Sequence, residues 1–325
     1  MDRMTASVAR GDREIARRQR DAVLDHSEIR QHTIAEPFFC AGIGVHSGER
    51  VRLTLKPAPV NSGVVFVRTD VTDRNNRVCA LATAVGRTQL NTEIRNAQDV
   101  GVSTIEHLMA ALAALEIDNV IVEIDGPECP IMDGSALPFV ELLDRAGRKA
   151  QEARRQFIEI VERVEVFGPG KSAALCPASA FEVDFELRYA TSVIGVQRIA
   201  LAITEDSFRR ELAAARTFGF VHEVKQLQAL GLGRGASLEN AVAIEDDAVV
   251  NPEGLRMERE FVRHKALDAV GDLYTLGMPI IGRFETVCGG HALNNQLCRA
   301  LLAQPKAFRV VTVPPSMDLE LAVAV

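Results

Sequence analysis

Val51-Arg52-Leu53-Thr54-Leu55 sets an apolar residue at every second position, and Gly63-Val64-Val65-Phe66-Val67-Arg68 follows with a β-branched and aromatic run. A two-residue period in such residues belongs to half-buried strands, so sheet dominates the first third of the chain from Gln31 onward. A helical stretch over 104–115 comes next and ends near Asp118 and Asn119. The strand Val120-Ile121-Val122-Glu123-Ile124 then leads into a turn-rich loop, 125–134, of a composition that often carries function. A second helical segment, 138–146, gives way to the charged stretch 147–156, the best boundary between domains. Beyond it, 157–161 and 181–187 alternate as strands, 206–215 and 223–230 read as helices, and a long helix covers 256–276. Strands over 308–313 and 319–325 close the chain. Each half mixes a mostly antiparallel sheet with a few helices, which is the α+β class. The expected division is a first α+β domain at 31–150 and a second at 151–325. Neither βαβ alternation nor a glycine-rich dinucleotide loop argues for a Rossmann unit.

The bulk properties bound the function. With 325 residues, 47% of them hydrophobic, the chain can fill one large or two ordinary cores, and two is the expectation. The net charge of −7 comes from interleaved acids and bases, which leaves no electrostatic footprint for nucleic acid. Cys40, Cys79, Cys129, Cys176, Cys288 and Cys298 are far apart and form no C-x-x-C pair. They read as reduced thiols of a cytosolic protein rather than as a disulfide framework or a zinc knuckle. Residues 1–30 are rich in Arg, Asp and Glu with little apolar periodicity, and they read as a flexible or weakly helical extension. No signal-peptide core and no stretch of about twenty apolar residues appears, so no transmembrane segment is expected and the protein reads as cytoplasmic.

Three segments carry candidate chemistry. In Ser103-Thr104-Ile105-Glu106-His107, a Glu-His step stands at a helix start. It reads either as a capping box, Glu106 reaching back to the Ser103 amide, or as half of a metal site in which His107 is a ligand and Glu106 activates water. A single His cannot complete a catalytic metal site, which commonly takes three protein ligands, so others must come from elsewhere. In Phe261-Val262-Arg263-His264-Lys265-Ala266-Leu267-Asp268-Ala269-Val270-Gly271-Asp272, a helix stacks His264, Asp268 and Asp272 in one column with Lys265 beside it. The alternative is an i,i+4 salt bridge on a solvated face. Phe261 and Met257 share the column, which suits a lined cleft. Together His107, His264 and Asp268 offer two imidazoles and a carboxylate, a set suited to zinc with a fourth position open for water. The third segment, Gly289-Gly290-His291-Ala292-Leu293-Asn294-Asn295, places His291 after a glycine-marked turn. It is either a helix-end residue or the acid that amide cleavage requires, with Asp272 as its carboxylate partner.

These segments, together with Gly42-Ile43-Gly44-Val45-His46-Ser47-Gly48, Pro130-Ile131-Met132-Asp133-Gly134-Ser135 and Ala215-Arg216-Thr217-Phe218-Gly219-Phe220, resemble the UDP-(3-O-acyl)-N-acetylglucosamine deacetylases of lipid A synthesis. The resemblance runs from about Gln31 to the C-terminus, and several motifs in order are far more specific than any one. It implies two similar α+β domains with the active site at their interface. The ligands of one catalytic zinc, or of iron(II) in the cell, would be His107, His264 and Asp268. It further implies Glu106 as general base and His291, oriented by Asp272, as acid. Thr217 would donate to the oxyanion and Lys265 would contact substrate. An apolar passage for the fatty chain falls on Phe218, Phe220, Leu227 and Leu230, a stripe that core packing explains equally well. Without the resemblance, Thr217 reads as a helix-end residue and Lys265 as a solvated partner of Asp268 or Asp272. The expected substrate is the acylated UDP-N-acetylglucosamine and the expected working form a monomer. The leading extension and the segment 231–237 depart from or vary within the pattern. A zinc peptidase is disfavoured because H-E-x-x-H is absent. A non-catalytic binding module is disfavoured by the presence of every acid, base and ligand.

Overall fold

A computed structural model describes residues 29–312. Most of the expected N-terminal extension and the expected strand over 319–325 lie outside the described residues. The alternation at Val51 is realised: the strand Arg50–Pro57 buries Val51, Leu53 and Leu55 while Arg50 and Arg52 are exposed. It belongs to a five-stranded sheet ordered Phe38–Ile43, Arg50–Pro57, Val120–Ile124, Val64–Arg68, Arg77–Cys79. Every neighbouring pair is antiparallel except Val64–Arg68 with Val120–Ile124. A seven-stranded sheet is built around Ile280–Val287, which pairs antiparallel with Lys171–Cys176 and parallel with Phe157–Ile160 and Phe181–Arg188. Val164–Gly168, Val196–Ala202 and Phe308–Val311 complete it by antiparallel pairing. Mostly antiparallel sheets with separate helices make the fold α+β, as expected.

The helices are α1 (Glu106–Ala114), α2 (Leu137–Ala146), α3 (Glu205–Glu211), α4 (Val221–Ala229), α5 (Glu260–Tyr274) and α6 (His291–Leu302). Several details differ from the sequence reading, among them the helix expected over 206–215, which stops at Glu211. The helix expected from residue 256 begins at Glu260 because Arg259 takes a left-handed φ of 54°. The capping box at Ser103 does not form. The residue before α1 is Ile105, without a side-chain cap, and Thr104 is left-handed at φ 56°. The charged stretch at 147–156 is itself a strand, Arg148–Arg154, antiparallel to Arg30–Ile34. Its pattern is exposed and half-buried with no fully buried position, so no hydrophobic period announced it.

α1 and α5 pack on each other more extensively than any other pair of helices. All of α1 except Ala113 is buried, and all of α5 except Arg263 and Lys265. The solvated-face reading of α5 is therefore excluded, because its polar column faces α1 and α6 rather than water. Gly271 sets the approach: a Cβ there would stand 2.0 Å from the main-chain oxygen of Glu106 and 3.0 Å from the nitrogen of Ala110. On helix propensity alone, Gly271→Ala should stabilise by up to about 1 kcal/mol. Overpacking against backbone reverses the sign, and a loss of about 1–3 kcal/mol is expected. Thermal unfolding should show a clear fall in Tm, whereas an unchanged or raised Tm would mean the two helices part freely.

Candidate metal centre and its cavity

His107 is the second residue of α1, and His264 and Asp268 stand one turn apart on α5, so the close packing of the two helices brings them together. His107 Nε2 is 3.5 Å and His264 Nε2 3.4 Å from Asp268 Oδ1. The two imidazole centroids are 5.0 Å apart with planes at 83°. One ligand atom from each of the three lies within 4.8 Å of the others, and all three residues are buried. His264 Nδ1 is 3.1 Å from the carbonyl oxygen of Ala215. A carbonyl only accepts, so Nδ1 carries the proton and the Nε2 lone pair points at the cluster. Burial, against the pull of Asp268, lowers His264 to about 3, which keeps the ring in its neutral ligating form. Burial alone would raise the Asp268 carboxyl. The neighbouring imidazoles and the Lys265 ammonium outweigh burial and hold it well below the ordinary carboxylate range. Lys265 Nζ donates to Asp268 Oδ2 at 2.7 Å.

Asp268 Oδ1 is buried and has no hydrogen-bond donor among the described residues. A buried carboxylate oxygen left without a partner is costly. A cation between the oxygen and the two imidazoles removes that cost, and two nitrogens with one carboxylate form a fitting donor set for a divalent transition metal. The residues present therefore fit a metal ion.

Two acid–base groups flank this cluster. Glu106, 3% exposed, accepts a hydrogen bond from the Thr92 backbone N–H at 3.0 Å. Burial raises its pKa and outweighs the opposing fields of His291 and His107, with Asp268 and Asp272 adding to the rise. His291 opens α6, and its Nδ1 lies 2.9 Å from Asp272 Oδ2. Burial works against the charged ring, yet Asp272 raises it to about 9. His291 Nε2 faces the cluster, 4.0 Å from Asp268 Oδ2. A carboxylate made more basic and an imidazole kept protonated are the pair that acid–base catalysis at neutral pH uses.

The groups form the floor of a cavity of about 330 Å3 that Thr217 and Lys265 also line. Phe218, Phe220 and Leu227 supply apolar wall. Phe218 is held edge-on to Phe261 at 5.0 Å, and Lys265 Nζ lies 5.6 Å from its ring centre. Leu230 is not in this wall: it follows the end of α4, is 69% exposed and lines a neighbouring cavity. The two cavities share His46, whose backbone N–H donates to buried Glu128. Sequence reasoning quoted His46 without giving it a role. It missed Thr92 and the Ala215 carbonyl, which carry no chemical signal until the fold brings them in.

Comparison with known proteins gives one answer. Residues 31–303 match the family model described as UDP-3-O-acyl N-acetylglycosamine deacetylase. A protein of Phenylobacterium zucineum named UDP-3-O-acyl-N-acetylglucosamine deacetylase is 58% identical over 282 residues, 87% of this chain and 96% of that protein. One of the same name from Chromohalobacter salexigens is 47% identical over 87% of this chain and 94% of its own length.

Protein purified without added metal and dialysed should retain a divalent ion on elemental analysis. Asp268→Asn preserves shape and removes the charge, so it should lose most of that ion, as should His264→Ala. Retention equal to the unsubstituted chain would dissolve the cluster as a metal site.

Proposed function

The chain belongs to the UDP-3-O-acyl N-acetylglycosamine deacetylase family, and on that premise we propose how its own residues carry the reaction. It is a hydrolase of a linear amide: the acetamide of UDP-(3-O-acyl)-N-acetylglucosamine is cleaved to acetate and UDP-(3-O-acyl)-glucosamine, a step of lipid A biosynthesis. His107, His264 and Asp268 hold one zinc ion, for which iron(II) can substitute in the cell. When bound, the zinc acidifies water and polarises the amide carbonyl. The observation that carries this reading is the unpartnered Asp268 Oδ1 between two imidazoles, flanked by Glu106 and the His291–Asp272 pair.

The substrate's fatty chain lies against Phe218, Phe220 and Leu227, while Lys265 exchanges part of its bond to Asp268 for the polar headgroup. Glu106, fixed by the Thr92 N–H, takes a proton from the attacking water. As the carbonyl becomes tetrahedral, the Thr217 hydroxyl and protonated His291 face the developing oxyanion. His291 then passes its proton to the departing amine, and Asp272 holds the ring in the orientation that presents Nε2. Acetate and the free amine leave. No helix among the described residues is long and apolar enough to cross a membrane. We assign the reaction to the cytoplasm, to a monomer, and to a chain divided at residue 150.

Acetate release from the acylated nucleotide sugar should cease on chelation and return with zinc; turnover indifferent to the chelator sinks the mechanism. Glu106→Gln should lower kcat by about 100-fold or more while metal content stays constant. The pH profile of kcat/KM should be a bell. Its acid limb reflects ionisation of Glu106, at a pH above the usual carboxylate range because burial raises that group. Its alkaline limb marks loss of the His291 proton near 9. Asp272 is what raises His291, so Asp272→Asn should move the alkaline limb to lower pH, and an unmoved limb would remove His291 as the acid.

A further inference from the structure

We propose that Thr92 is a positioning residue that ties the base to the acid, an inference that rests on the reaction assigned above. Thr92 lies in the loop before the short strand Ile94–Arg95 and is 2% exposed. Each of its three polar groups has a partner beneath the catalytic groups. Its N–H donates to Glu106 Oε2 at 3.0 Å. Its carbonyl accepts from the Ile105 N–H, at the entry to α1, at 3.4 Å. Its hydroxyl donates to Asp272 Oδ1 at 2.6 Å. The other Asp272 oxygen receives Asn294 Nδ2 and His291 Nδ1, both at 2.9 Å. Asp272 is thus fixed from two sides, and Thr92 supplies the donor to Oδ1.

The hydroxyl is not required for filling space. Valine has the same branched shape and buries without a polar partner, whereas removing the O–H leaves a buried carboxylate oxygen one donor short. That carboxylate sets the plane of His291, so the loss should appear at the chemical step rather than in substrate affinity. The backbone N–H to Glu106 is retained in any substitution. The side chain therefore tests the acid arm alone.

Thr92→Val should lower kcat roughly tenfold to a hundredfold, with KM and bound metal little changed. Thr92→Ser, which restores the donor with less bulk, should recover most of the loss. In an Asp272→Asn background, Thr92→Val should cost less than about threefold more, because groups that act through one another are not additive. The proposal is overturned if Thr92→Val matches the unsubstituted enzyme. It is also overturned if Thr92→Ser is as slow as Thr92→Val, or if the Thr92 and Asp272 losses multiply as independent effects. Circular dichroism and Tm of each variant separate misfolding from mispositioning, since a loss that tracks a fall in Tm across Val and Ser also overturns it. The unsubstituted chain is assayed alongside: absence of acetate release there rejects the assigned reaction itself, whereas failure confined to the Thr92 comparison rejects only the positioning role.

Discussion

Glu106, Asp268 and Asp272 are three carboxylates buried within one cluster of helices, each 2–3% exposed. Charges of one sign removed from water are tolerated only with opposite charge or donors close by. The described residues meet that demand unevenly. Asp268 has Lys265 at 2.7 Å on one oxygen and no donor on the other. Asp272 has a histidine, an asparagine and a threonine. Glu106 accepts a backbone N–H, that of Thr92. The unevenness produces three chemical characters from one functional group: an acceptor open toward the imidazoles, an orienting carboxylate held by three donors, and a carboxyl whose pKa is raised by burial and so is suited to take up a proton.

Holding such a cluster requires a rigid frame, and much of it is backbone and buried ion pair. Gly271 lets α5 meet the main chain of Glu106. Ala215-Arg216-Thr217 does three tasks in three residues. The Ala215 carbonyl fixes the His264 tautomer, Arg216 Nε binds Glu260 at 2.9 Å with both side chains 0–1% exposed, and Thr217 faces the cavity. The Arg216 N–H also reaches Glu260 Oε1 at 3.0 Å, so the segment is pinned one turn before His264 on the same helix. The Thr217 N–H donates to Gly134. Gly134 takes φ 86°, and a Cβ there would collide with the Asn240 carbonyl at 2.1 Å. Thr217 is therefore located from the 130–134 loop and from α5 together.

What could be read beforehand followed from periodicity. The two-residue alternation at Val51 and the four-residue spacing of His264, Asp268 and Asp272 are local properties, and local geometry preserves them. The direction in which a face looks is not local. The polar column of α5 reads equally as a solvated stripe, and only packing against α1 decides otherwise. Glu106 fits a capping box by letters, yet Thr104 turns left-handed and Thr92, fourteen residues earlier, takes the carboxylate. The ribbon Arg148–Arg154 was hidden because its side chains are polar on both faces. Leu230 carried a helical spacing from Leu227, but the helix stops at Ala229 and the side chain turns outward. Thr92 had no signal, since a single threonine in a loop is ordinary until two distant helices close on it.

On the proposed reading, the cavity joins two solvents in one space. Its wall is apolar and its floor is ionic. Burying an acyl chain against Phe218, Phe220 and Leu227 contributes about 0.8 kcal/mol per methylene, and that gain is independent of the amide's chemistry. Such binding energy can hold the amide over the floor and exclude water from it, which strengthens each fixed charge there. The same exclusion keeps His264 neutral and Glu106 basic. Apolar burial is thus both the recognition of the substrate and the condition that raises Glu106 and keeps His264 neutral, and wall and floor are joined where Phe218 packs edge-on against Phe261 of α5.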